Sequence, residues 1–188
     1  MVDDFEQLTP EQQLFARTMF QNRVCRSYGQ QFEDLFIDVM SRRDKRFRTV
    51  KPQGPIGDQG NDGYVPDEGR YFQVFSPQEP ANTKAKADAA KKARDNFTTL
   101  KSHWDSDFTI VDFQFVFNDK YLGPVTEIDH ALNDIRSEHS LQESKAFLAR
   151  DLEREFMQLP VSELQAVLQS VIPRPEHIEN IDYAALTD

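Results

Sequence analysis

The chain has a single cysteine, no apolar run approaching the ~18 residues of a membrane span, and no basic-then-apolar start. Each of these shortages excludes something. Cys25 alone closes no internal disulfide and completes no CxxC pair, so neither a disulfide framework nor a Cys-based zinc or redox site is expected. The acidic opening Met1-Val2-Asp3-Asp4 does not read as an export signal, so the expectation is a cytoplasmic protein with no membrane partner. His103, His130, His139 and His177 show no HExxH or Ser/His/Asp spacing, and no role is assigned to them. Glycine is scarce, and five of the seven glycines fall between Gly54 and Gly69.

What is present is a chain of 188 residues, 38% hydrophobic and 29% charged, with net charge −10. Its mean hydropathy is −0.66. That is enough for one domain with its own core, or a domain plus a helical extension. Residues 1–123 hold 19 acids against 17 Lys and Arg, a balance of −2, and residues 124–188 hold 13 against 5, a balance of −8. The acidity belongs to the last third. A polyanion such as DNA would be repelled there and tolerated by the rest if its basic residues gather on one face.

Thr9-Pro10-Glu11-Gln12 carries a capping box with Pro at the first helical position, and apolar Leu14, Phe15, Met19 and Phe20 follow. After Gly29 the apolar positions Phe32, Leu35, Phe36, Val39 and Met40 predict a second helix with one buried stripe, closed by the basic stretch Arg42–Arg46. A short strand over 47–51, a Gly-rich segment, a turn at Pro66–Gly69 and a strand over Arg70–Phe75 come next. A Lys- and Ala-rich helix is expected over about 82–101, then a central strand within 108–117. From Val125 on the pattern reads as helical, with a capping box at Ser162–Gln165, a helix end near Val171 and an extended tail from Pro173.

The loop Asp58-Gln59-Gly60-Asn61-Asp62-Gly63 is the segment with a candidate chemical role. As an EF-hand it fails, because the twelfth position is Gly69 where a bidentate Glu is required. The Gly at every third place from Gly54 to Gly63 is too short a run for collagen, and neither GxxxxGK[ST] nor GxGxxG is present. Two readings stay open. Either the Asp side chains satisfy backbone donors in a tight turn, or the carboxylates are arranged for a divalent cation.

Gly29-Gln30-Gln31-Phe32-Glu33-Asp34-Leu35, then Gly57-Asp58-x-Gly60-x-Asp62-Gly63, then Tyr71-Phe72-Gln73-Val74-Phe75 resemble the Mrr-type branch of the PD-(D/E)xK restriction-endonuclease-like family over about residues 27–118. The resemblance implies that Asp62 and Gln73 bind Mg²⁺ or Mn²⁺, that Glu33 assists from its helix, and that Asp58 is a neighbouring acid and candidate ligand. The family's lysine two residues after the Glu/Gln is here Phe75. Either the lysine has migrated, with Lys84 and Lys86 at the start of the next helix as candidates, or the site is degenerate. Phe115-Val116-Phe117-Asn118-Asp119 resembles a phrase of nuclease-like domains in multi-component bacterial defence systems, and also reads as a buried strand ending in an Asn-Asp turn.

The fold class expected is therefore α/β: a restriction-endonuclease-like mixed sheet flanked by helices over 1–123, with an acidic α-helical region over 124–188. The implied function is a nuclease-fold component of a bacterial defence or restriction system. It would be a metal-dependent endonuclease hydrolysing DNA phosphodiesters, or a degenerate derivative acting on DNA. The alternative is an inactive interaction module of a multi-subunit defence complex, and an acidic DNA mimic is a third reading. Apolar stripes at Phe147, Leu148, Leu152, Phe156 and Leu159, then Leu164, Val167, Leu168 and Val171, fit docking of protein partner subunits or a second copy in a homodimer, and equally closure over the sheet. Basic clusters at 42–51 and 84–101 would form a cationic rim if both lie on the loop's side; Tyr64, Tyr71 and Trp104 either stack on bases or pack in the core.

Overall fold

The structure is a computed structural model and describes residues 8–50, 60–105 and 109–178. It is α/β, a five-stranded mixed sheet with helices on both faces. In chain order the elements are α1 (Pro10–Arg26), α2 (Gln30–Arg43), β1 (Arg48–Thr49), β2 (Gly63–Val65), β3 (Arg70–Phe75), α3 (Thr83–Trp104), β4 (Asp112–Phe117), α4 (Thr126–His139), β5 (Glu143–Leu148), α5 (Ala149–Phe156), α6 (Val161–Leu168) and α7 (Pro175–Ile178). The strands lie in the order β1-β2-β3-β4-β5, antiparallel through β3 and parallel from β3 to β5.

Local chemistry explains the first elements. Thr9 caps α1 with the expected capping box, Gln12 answering from the third helical position. α2 buries Phe32, Leu35, Phe36, Val39 and Met40, the stripe read from the sequence. Pro66–Glu68 forms one 3-10 turn, and Gly69 at φ 57 closes it, with the carbonyl of Thr109 2.6 Å from where a Cβ would sit.

Side chains alternate across the sheet and divide the core in two. Phe72, Val74, Val116 and Phe147 face α1, α2, α5 and α6; Tyr71, Phe113, Phe115 and Phe117 face α3 and α4. All six residues of β4 are buried, because helices cover both of its faces. It ends in the Asn-Asp turn: Asn118 Nδ2 donates to the carbonyls of Val24 and Ser27 at 3.1 Å each, and Asp119 accepts from the Gly123 and Ala149 N–H groups. These bonds tie the end of α1, the β4 loop and the start of α5 to one point.

The last third departs from the helical expectation. Glu143–Leu148 is a strand paired in register with β4, so residues beyond 123 complete the sheet as well as both cores. Its open edge leaves Glu143 and Lys145 toward water, and parallel pairing to β4, not its own periodicity, decides its conformation. α6 begins at Val161 after Pro160, with no side-chain cap, and ends at Leu168 with Gln169 left-handed; Ser162 is therefore inside the helix. The tail is not extended from Pro173: Pro175–Ile178 is a helical turn whose Ile178 is buried in the α1 core. The stripes offered for a partner subunit are mostly spent within the chain, with Phe156 stacked on Phe20 at 4.1 Å, Leu152, Leu159, Leu164, Val167 and Leu168 buried, and only Val171 left open at 73% exposure.

Asn118→Ala removes three side-chain hydrogen bonds from a fully buried site, two donated to the Val24 and Ser27 carbonyls and one accepted from the Lys120 N–H. Unfolding free energy should fall by about 2 kcal/mol in urea titrations, with the far-UV spectrum unchanged.

Candidate functional site

Asp62 is placed by two close approaches of backbone to packed neighbours. Gly60, at φ 77, lies against α3 so that a Cβ would stand 2.5 Å from the Asn96 carbonyl oxygen, and a Cβ on Gly63 would run into the Phe47 ring. Between them Asp62 lies opposite Gln73, one step beyond the Gly63–Phe72 pair of the β2–β3 ladder. Its N–H donates to the Phe72 carbonyl at 2.9 Å. Both side chains are almost closed off, at 2% and 4% exposure.

Asp62 Oδ2 accepts from Gln73 Nε2 at 2.6 Å and from the Val74 N–H at 2.6 Å. The two residues expected to act together are therefore in direct contact. Gln73 Oε1 is buried with no hydrogen-bond partner, and neither polar atom of the fully buried Asn61 side chain has one. Buried polar atoms without partners cost about 1–3 kcal/mol each, so three of them on Asn61 and Gln73 mark a place where the interior is not polar-satisfied.

The oxygens that a hard divalent cation could use here are the Asp62 carboxylate and, after a turn of the Gln73 amide, the Gln73 amide oxygen. Among the described residues no three His, Cys, Asp or Glu side chains converge, so a cation here rests on one carboxylate and one amide.

The other expected residues distribute as follows. Glu33 is half-buried near the start of α2, whose lead-in is anchored at the end of β3 by the Gly29 N–H donating to the Ser76 carbonyl at 2.8 Å. Asp58 lies outside the described residues. Lys84 is in the first turn of α3, 83% exposed, with its ammonium on Asp88 at 2.7 Å, a contact that raises its pKa and keeps it charged. Lys84 also borders a shallow hollow of about 290 Å³ beside Phe75 and Asn82. Lys86, half-exposed, is about 200° around the helix from Lys84.

Phe75 packs beside Phe115 and Phe117, at 6.4 and 6.3 Å between centroids with interplanar angles of 32° and 25°. Over its ring stands a cation the sequence reading passed by: Lys92 Nζ is 5.4 Å from the Phe75 centroid. The signal was available in its spacing. Lys84, Asp88, Lys92 and Asn96 recur every four residues along one line of α3, the line that meets Gly60 at Asn96.

The basic clusters do not form one rim. Arg42, Arg43 and Arg46 belong to the α2 face and pair with Asp38, Glu163, Glu155, Asp44 and Glu68, whereas Lys91, Arg94 and Lys101 belong to α3 on the other face and pair with Asp95, Asp134 and Asp105. A cavity of about 730 Å³ on the α2 face has Arg43, Arg46, Arg70 and Arg154 around it, each held by a carboxylate. Tyr64, Tyr71 and Trp104 pack on one another, Tyr64 on Tyr71 at 5.6 Å; burial pushes the Tyr71 phenol up to about 12. Partial burial likewise raises the Cys25 thiol.

No family model matches the chain, and neither a curated protein nor a solved structure matches it.

Gln73→Glu places two carboxylates side by side in a closed site. The melting temperature in EDTA should fall by about 5 °C and recover on adding Mn²⁺, read by differential scanning fluorimetry.

Proposed function

We propose that the chain is a restriction-endonuclease-like protein that hydrolyses DNA phosphodiesters at a divalent-cation site built on Asp62 and Gln73, as a component of a bacterial defence or restriction system. The observation that carries this reading is the Asp62–Gln73 contact, with Gln73 Oε1 buried and without a partner beside a carboxylate. The sheet order, antiparallel through β3 and parallel beyond it with a helix between β3 and β4, agrees with the fold that the sequence resemblance implies. The system to which it belongs rests on the resemblance alone.

Asp62 and Gln73 would hold Mg²⁺ or Mn²⁺, which supplies Lewis-acid polarisation of a phosphoryl oxygen. The residues of the chain do the rest. Asp62 is kept in place by the Val74 N–H, which fixes the carboxylate against the strand before any ligand arrives. Gln73 carries no charge, so the pair brings one negative charge to a phosphodiester instead of two, which lessens repulsion of the substrate. Glu33 is in the first turn of α2, the helix that packs on the face of β3 opposite to the one carrying Gln73, so it takes no part in this account.

A second reading has its own support. Asp62 and Gln73 are nearly sealed and bonded to each other, which suits a structural cross-link in an interaction module that has kept the fold.

Calorimetric titration with Mn²⁺ and Mg²⁺, wild type beside Asp62→Asn, with plasmid cleavage under the same conditions, separates the two. Micromolar-to-millimolar binding, weakened at least tenfold in the variant, with nicking by wild type only, is the expected result. A folded wild type that binds neither ion and leaves plasmid intact overturns the nuclease reading in favour of the interaction module.

A further inference from the structure

We infer that the cavity on the α2 face of the sheet binds a small organic molecule of nucleotide size carrying two or more phosphate groups. Strand alternation sends Phe72, Gln114 and Lys145, side by side in the ladder, to the face opposite Gln73. The site is therefore separate from the Asp62–Gln73 contact and does not depend on the nuclease reading. Polarity along this face changes row by row. Val74, Val116 and Phe147 form an apolar row, Phe72, Gln114 and Lys145 the next, and Arg70, Asp112 and Glu143 a row that is entirely charged. Asp112 and Gln114 are 7% and 3% exposed on a strand whose other face is Phe at every position. Buried polar groups cost stability where an apolar pair would fill the space, so their presence marks a place where the chain uses polarity.

Above this floor stand Arg43 at the end of α2, Arg46 just beyond it and Arg154 on α5. They enclose about 730 Å³, a volume in the range of ligand pockets and larger than a diphosphate alone would fill. The lining holds five cations against three carboxylates. Glu68, Asp112 and Glu143, which pair with Arg46, Arg70 and Lys145, are not part of that lining, so the cations are presented and these acids stand behind them. Glu68 bridges Arg46 and Arg70, and Asp112 bridges Arg70 and Gln114, which fixes the guanidinium groups before any ligand arrives.

These pairs leave donors over. Nη1 of Arg43, Nη1 of Arg46 and Nη2 of Arg70 find no acceptor among the described residues. A planar guanidinium matches phosphate oxygens two at a time, and four of the five cations are arginines. They reach the cavity from the sheet, from α2 and from α5, which suits several phosphate groups better than one. The Gln114 amide and the half-buried Phe147 ring are the uncharged surfaces left for the organic part.

The test uses the full chain in EDTA, so that no divalent cation contributes and failure here is distinct from failure of the nuclease reading. Calorimetry at about 50 mM KCl should give ATP a Kd of about 10–100 μM, with inorganic pyrophosphate at least about threefold weaker. Arg154 and Lys145 have exposed side chains, so Arg154→Gln and Lys145→Gln should keep the fold and each weaken ATP about fivefold or more. Glu155→Gln releases Arg43 and should tighten ATP about threefold, an effect that a purely structural ion pair does not produce. Lys91→Gln, on the other face, should leave the Kd unchanged. Folded wild type with no saturable ATP binding up to about 2 mM overturns the inference, as does binding that neither Arg154→Gln nor Lys145→Gln alters. Pyrophosphate binding as tightly as ATP overturns the organic part of it. A short DNA duplex that binds and is lost in those variants, where ATP does not bind, reassigns the cavity to a nucleic-acid backbone.

Discussion

Two-sided burial of the central strands is the constraint on which this structure depends. β3 and β4 run between helices on both faces, so nearly every side chain they carry, and those of Asn61 and Asp62 just before β2, is in an interior with little water. Polar groups there must find partners within reach or remain costly. The buried polar residues of this protein sort themselves by that rule. Asn118 and Asp119 are bonded to backbone groups of three elements and act as a knot, while the Asn61 amide and the Gln73 oxygen are buried without partners.

That contrast is what separates structure from candidate chemistry. A pair of residues conserving only the fold would be expected to close its own hydrogen bonds, as the Asn-Asp turn does. Asp62 meets the Val74 N–H and Gln73, yet the Gln73 oxygen beside it has nothing to accept. The glycines on either side are there for approach and not for bending alone: Gly60 lets α3 come down on the loop and Gly63 makes room for Phe47. The same helix carries Lys92 over the Phe75 ring.

Charge follows the same division. The sequence places bases at 42–51 and 84–101 on either side of the Gly-rich loop, but the sheet separates them onto opposite faces, where nearby acids neutralise most of them. The acidic last third is likewise no appendage, since α5 and α6 turn their apolar stripes onto α1 and α2, and β5 enters the sheet.

The sequence by itself determined the helices with strong caps and clear stripes, α1 and α2, the strands dense in aromatics, β3 and β4, and the α/β class, because those depend on local periodicity and capping. It also singled out Asp62 and Gln73, whose contact the β2–β3 register then made. Only the tertiary structure decided β5, whose half-buried Glu-Ser-Lys-Ala pattern has weak strand preference and forms by pairing with β4. It alone decided the burial of the tail at Ile178, and which of several α3 lysines stands over Phe75. Those outcomes depend on contacts between residues far apart in the chain, and spacing along a sequence carries no measure of distance through a core.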